Sequence, residues 1–210
     1  MSPAWRFLSA LLLAGFWLAA GAAELKEGRD FRELNPPLAP DRAKVEVIEF
    51  FWYGCPHCFN LEPVVVPWSR KLPGDVSFRR VPALFPDGKW ASGARLYYTL
   101  AAMNLVDRLH GEVFHAIHVE RKRLGDERQL ADWVSTKGVD PKEFLAAWNS
   151  FGVQSQVRQS QELTRRAGLS GVPALVVDGR YQAITPEHFP ELLTLVDRLI
   201  ERARAERGRK

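Results

Sequence analysis

Apolar and polar positions recur with two different periods along this chain, and the changes of period mark its elements. Residues 45–53, Val-Glu-Val-Ile-Glu-Phe-Phe-Trp-Tyr, are largely apolar on both faces and predict a central, mostly buried strand over about 44–53. Leu61, Val65, Trp68 and Leu72 follow at helical spacing. Pro63 is expected to kink that helix and Pro67 to interrupt it a second time, before Pro73-Gly74-Asp75 ends it. Val76–Pro82 returns to strand character. From Ser92 to Gly168 the pattern is helical throughout, with apolar faces at Leu96, Tyr97, Leu100 and Met103, at Val113, Phe114 and Ile117, and at Leu130, Trp133 and Val134. Asp140-Pro141-Lys142-Glu143 has the form of a helix start with Asp140 as N-cap, and Gly168 that of a C-cap.

Strand signals reappear at Pro173–Val177. Asp178-Gly179 predicts a two-residue hairpin turn, and Arg180–Ile184 the returning strand. Thr185-Pro186-Glu187-His188 opens a last helix carrying Leu192, Leu193, Val196, Leu199 and Ile200. A short edge strand is expected near Asp30–Leu34, in an otherwise proline-rich stretch. The order is therefore strand, helix, strand, helical block, hairpin, helix. A βαβ unit and a ββα unit separated by a helical block describe an α/β chain, a thioredoxin fold with an inserted helical domain. Residues 23–91 and 169–210 form the thioredoxin-like part and 92–168 the insert.

The first 22 residues change the picture of where the chain works. Arg6, the apolar run Phe7–Ala20 and the small residues Ala20-Gly21-Ala22 have the form of a secretory signal, leaving a mature chain of about 188 residues. The run is short for a membrane span, and export implies a compartment in which disulfides persist. The formal charge of +4 does not mark a nucleic-acid surface. Without Arg6 and the basic tail Glu201–Lys210, the 29 basic and 25 acidic residues become 23 of each. That tail is expected to be a solvated, fraying helix end. Seven Trp and twelve Phe supply ample core material.

Candidate chemistry centres on Cys55-Pro56-His57-Cys58, which holds the only cysteines of the chain. The pair falls where the central strand runs into a helix, with Pro56 at the first-turn position that proline favours. A thiol there faces the positive end of the helix dipole and free backbone N–H groups, which stabilise the reactive thiolate. As a structural staple the pair would close almost no loop. A structural zinc site needs about four ligands, and haem attachment wants His directly after the second Cys, where Phe59 stands. Redox chemistry outweighs metal binding on these grounds. His57 can sit as a donor or cation beside Cys55. Glu49 shares a strand face with Val45, Val47 and Phe51, so it should be buried with a raised pKa, and Arg80 on the neighbouring strand could pair with it. His110, His115 and His118 invite a metal reading, but solvated or packed histidines account for them more simply.

Val47-Ile48-Glu49-Phe50-Phe51, Cys55-Pro56-His57-Cys58, Trp148-Asn149-Ser150-Phe151, Gly171-Val172-Pro173-Ala174 and Asp178-Gly179-Arg180-Tyr181 occur in the order and at the spacing of one family. Across essentially the whole mature chain the sequence resembles the DsbA-type periplasmic thiol:disulfide oxidoreductases. That resemblance implies a disulfide donor in the periplasm. Cys55 would attack, Cys58 would resolve, and His57 and Pro56 would tune Cys55. Glu49 would lie beneath the disulfide and relay a proton to Cys58. A cis Val172–Pro173 bond would present the Val172 backbone to an extended substrate. The implied partners are reduced, unfolded exported proteins and a DsbB-type inner-membrane oxidase. No cofactor, metal or nucleic acid is called for, and a monomer is expected. Trp52-Tyr53-Gly54 and Pro67 depart from the family pattern beside the active site. A periplasmic reductase or isomerase is the competing enzyme reading, although residues 24–43 are too short for the dimerisation domain such proteins add. A thiol metal-binding module is the competing reading from another class.

Overall fold

Strand β2 (Val45–Phe51) organises the molecule, because all but one of its residues are buried. The computed structural model describes residues 24–208 except Pro86, Asp87, Lys89 and Glu187; the expected signal segment lies outside the described residues. Helix α1 (Pro56–Ser69) leads from β2 to β3 (Val76–Pro82), which pairs with β2 in parallel, Glu49 facing Arg80 in the register. Strand β4 (Ala174–Val177) pairs antiparallel on the other side of β2. Then β5 (Tyr181–Ala183) and β1 (Phe31–Glu33) complete the sheet in the order β1-β5-β4-β2-β3.

Between β3 and β4 lie α2 (Ala91–Ala102), α3 (Val106–His118), α4 (Glu127–Thr136), α5 (Pro141–Trp148) and α6 (Phe151–Arg166), and α7 (Phe189–Arg207) closes the chain. This is the thioredoxin fold with a helical insertion that the order of elements predicts. Asp140 caps α5 by accepting from the Lys142 and Glu143 N–H groups, and Gly168 takes φ +57° just beyond α6.

Several expectations need correction. Strand β2 ends at Phe51 rather than Tyr53, because the Cys55 N–H folds back onto the Trp52 carbonyl (3.0 Å) and closes a turn. Pro67 does not interrupt α1, which runs through both prolines to Ser69. In a half-buried helix, packing of Leu61 and Val65 outweighs two missing N–H donors. The turn after β4 has Asp178 and Gly179 both at positive φ. However, Val177 pairs with Tyr181, so Arg180 is an extra residue and β5 begins one position late. A Cβ on Gly179 would lie 2.6 Å from the Leu38 carbonyl oxygen, so only glycine fits there. As far as it is described, to Gly208, the basic tail is a packed helix end: Arg204 binds Asp75 and Arg207 binds Asp178, while Ala203 is buried; Arg209 and Lys210 lie outside the described residues. Among the described residues no helix is long and apolar enough to cross a membrane.

Candidate active site

Cys55 is the N-cap of α1, with extended backbone (φ −89°, ψ 117°) that turns its sulfur back over the first helical turn. There the Cys55 Sγ accepts from the Cys58 N–H at 3.3 Å. Its own thiol points at the Val172 carbonyl, 3.4 Å away, and the Val172–Pro173 bond is cis. Both cysteines are free thiols here. The two differ sharply. The hydrogen bond with the Cys58 thiol, then the backbone N–H groups of Cys58 and His57, lower the Cys55 pKa to about 6 against the cost of burial. The His57 imidazole charge adds the smallest named contribution, and its side chain is exposed. Cys58 is fully buried, and that burial, followed by its bond to Cys55, pushes its pKa far up. The Trp52 backbone amide acts in the opposite direction on Cys58.

Glu49 is fully buried on the β2 face between Val47 and Phe51. Its Oε2 accepts from Arg80 Nε at 3.0 Å, while Oε1 has no hydrogen-bond partner. Burial raises its pKa to about 7 even though Arg80 opposes this. Arg80 is shared: its Nη2 also donates to Glu62 at 3.2 Å. Glu62 in turn meets His110 Nε2 at 3.3 Å, and His110 Nδ1 meets the Tyr53 hydroxyl at 2.8 Å. Burial would raise Glu62, but its bonds to His110 and Arg80 hold it below the usual range; burial lowers His110. Glu62, Arg80, His110 and Tyr97 line a cavity of about 560 Å³ whose walls include neither cysteine.

The structure thus brings Cys55, Cys58 and Val172 together, with Pro56 and His57 forming the first turn between the thiols. Glu49 is tied to the Arg80 network. Sequence reasoning missed Glu62, although its position four residues after Cys58 places it one turn further along the same helix face. It also missed that His110 and His118 both bind Tyr53, since nothing in sequence places α3 against the β2–α1 turn. Among the described residues no three His, Cys, Asp or Glu side chains converge as a metal site. His110, His115 and His118 are turned to Glu62 and Tyr53, to Glu120, and to the Tyr53 carbonyl respectively.

Residues 46–194 match the model of the DSBA-like thioredoxin domain. The chain belongs to the DsbA family. The thiol:disulfide interchange protein DsbA of Pseudomonas aeruginosa is 42% identical over 196 residues, covering 90% of this chain and 91% of that one. Its counterpart in Pseudomonas syringae is 41% identical, covering 94% and 95%. The crystal structure of Pseudomonas aeruginosa DsbA superposes with a TM-score of 0.84 at 41% identity over 90% of this chain and 99% of that one. As a member of the DsbA family the chain is a disulfide oxidoreductase, and its paired cysteines occupy the strand-to-helix junction of the thioredoxin-like domain.

Proposed function

We propose that the oxidised chain donates the Cys55–Cys58 disulfide to reduced, unfolded proteins newly exported to the periplasm. The asymmetry of the two thiols carries this reading. A substrate thiolate attacks Cys55, and Cys58 leaves as a thiolate that takes up a proton. A second substrate thiolate then attacks the substrate sulfur of the mixed disulfide, and Cys55 leaves as the stabilised thiolate. The substrate loses two electrons and gains a disulfide, while the enzyme gains two thiols. A leaving group with a pKa of about 6 makes the last step favourable. Stabilising the Cys55 thiolate stabilises the reduced enzyme, so the disulfide is given away rather than kept.

In this reading Glu49 supplies or removes the Cys58 proton, supported by its burial and raised pKa. The Val172 carbonyl, already facing Cys55, pairs with the extended substrate, with Pro173 holding that approach. His57 and Pro56 complete the helix start. Residues 92–168 are the inserted domain and 23–91 with 169–210 the thioredoxin-like domain. Export through a signal ending near Ala22 is supported by Arg6 and the apolar run Phe7–Ala20. A DsbB-type membrane oxidase returns the dithiol to the disulfide, and the chain acts as a monomer.

The test mixes oxidised protein with a reduced, unfolded two-cysteine protein. One substrate disulfide should form for each two enzyme thiols that appear. Cys58→Ser and Cys55→Ser, neither of which can form the disulfide, should each give no transfer. An oxidised enzyme that fails to oxidise this substrate overturns the reading.

A further inference from the structure

The turn between β2 and α1, Trp52-Tyr53-Gly54, carries no regular secondary structure, yet it sets the geometry of both sulfurs. Its Trp52 carbonyl accepts from the Cys55 N–H, and its Trp52 amide acts on Cys58. The turn is also tightly folded on itself. A Cβ on Gly54 would lie 2.4 Å from the Trp52 indole, so the ring is pressed against the Gly54 backbone and only glycine fits there. Something must hold this segment in place, and the sheet does not, because β2 has already ended.

Helix α3 does. His110, Phe114 and His118 recur every four residues, so they share one helix face. All three address Tyr53. His110 Nδ1 meets the Tyr53 hydroxyl at 2.8 Å, the Phe114 ring packs edge-on to the Tyr53 ring at 5.1 Å, and His118 Nε2 meets the Tyr53 backbone carbonyl at 2.8 Å. A carbonyl can only accept, so His118 carries its proton on Nε2. The His118 ring also stacks on Phe59, the residue after Cys58, with centroids 5.0 Å apart and planes 12° apart. A half-buried histidine at the end of α3 is thereby fixed from both sides of the Cys-Pro-His-Cys run.

We infer that His118 is a positioning residue for the redox chemistry. Its Nε2–H holds the Tyr53 carbonyl so that the following turn delivers Cys55 to the helix N-cap. The helical insertion then does more than shelter the site. It clamps the turn that leads into Cys55 and so sets where the Cys55 sulfur meets the Cys58 and His57 N–H groups, and the clamp acts through a hydrogen bond rather than through bulk alone. This rests on the redox reading above.

Two substitutions separate the bond from the packing. His118→Phe keeps a flat ring against Phe59 and removes the N–H. His118→Gln keeps an N–H donor of similar reach and removes the ring. Thiolate absorbance at 240 nm against pH and the equilibrium with glutathione are measured for wild type and both variants, with thermal unfolding alongside. In His118→Phe the thiolate midpoint should rise by about 0.5 pH unit and the equilibrium should move about threefold toward the oxidised enzyme, as follows from a thiolate less favoured by that amount. His118→Gln should stay near wild type on both readouts even where its melting temperature falls. A His118→Phe protein with an unchanged midpoint and equilibrium overturns the inference. So does a His118→Gln protein displaced as far as His118→Phe, which would make the ring the agent. A wild-type midpoint near 8.5 would instead sink the redox reading itself, so the two failures are distinguishable.

Discussion

Two apolar regions meet on one face of β2, and they are built from different materials. At one end Val45 and Val47 join Leu61, Val65, Leu175, Val177, Leu192, Val196 and Leu199, a mainly aliphatic layer with Phe31 and Tyr181 toward the β5–β1 edge, packed under α1 and α7. At the other end Phe51 joins Tyr53, Phe114, Trp133 and Trp148 around the two cysteines. Glu49 stands between Val47 and Phe51, at the boundary. In the aliphatic layer the Tyr181 hydroxyl donates to Glu206, and among the described residues no buried side-chain polar atom of that layer lacks a partner. The aromatic region encloses His110 and Thr99, and the indole N–H groups of Trp133 and Trp148 are buried without partners. Buried polar groups lacking partners cost stability. The difference teaches that one end of the strand supplies stability and the other spends it on positioning polar groups and thiols.

The largest test of that contrast is Leu199→Ala. It should destabilise the protein by about 2–5 kcal/mol, as large-to-small core changes do, equally in the oxidised and reduced forms. The Cys55 thiolate midpoint should not move. Denaturant unfolding and absorbance at 240 nm read the two quantities, and a shifted midpoint would dissolve the division between the regions.

Glu49→Gln probes the boundary. The folded pKa of Glu49 is raised to about 7, so its protonated form favours folding at acid pH. That contribution is lost as pH rises from the ordinary carboxylate range through 7. The glutamine variant lacks this loss. Relative to wild type it should gain stability across that window, on the order of 1–3 kcal/mol by pH 8. Arg80 retains Glu62 as a partner. Unfolding curves at pH 5 and pH 8 decide this; a parallel pH dependence in both proteins would exclude a titrating Glu49.

The aromatic end should respond to redox state. Reduction should stabilise the fold at pH 7 by at most about 1 kcal/mol, because the Cys55 thiolate is favoured in the folded reduced state and is still partly screened by solvent. Cys55 is depressed from the usual thiol range to about 6. Its contribution is therefore complete above about 8.5, the ordinary thiol value, and is lost as pH falls through 6. Paired denaturant curves at pH 7 and pH 5 should converge at the lower pH. An oxidised form that is the more stable at pH 7 contradicts the assignment.

The smallest effect is assigned to His57→Ala. The imidazole charge ranks behind the Cys58 thiol and the backbone N–H groups as a cause of Cys55 acidity, and the backbone N–H survives the substitution. The thiolate midpoint should rise by only about 0.3 pH unit, the scale of an exposed, screened charge. A rise of a full unit or more would transfer the main role to the side chain.

Legibility followed the same division. The aliphatic strand and helices announce themselves by period, so β2, α1, β3 and α7 are visible in Val45–Phe51, Leu61, Val65 and Leu192–Ile200. The cysteine pair at a strand-to-helix junction is visible because local order fixes the N-cap. Glu49 and its partner Arg80 are visible because strand alternation and parallel register place both on one face. What was hidden depends on tertiary docking. Period alone does not say that α3 rests on the β2–α1 turn, so the meeting of His110 and His118 at Tyr53 could not be read. Nor could the ion pairs of Arg204 and Arg207 that convert a basic tail into a packed helix end.

The strand order has a consequence in time. Cys55 and Cys58 leave the ribosome early, directly after β2, but the antiparallel neighbour of β2 is β4, more than a hundred residues later. Edge strand β1 waits longer still for β5. In a chain made from its N-terminus, the two thiols therefore exist for most of synthesis without the Val172 carbonyl beside them or a finished sheet beneath them. Over that interval the sulfurs have only their own helix start around them, and the substrate-facing side of the site is complete only as the last quarter of the chain arrives.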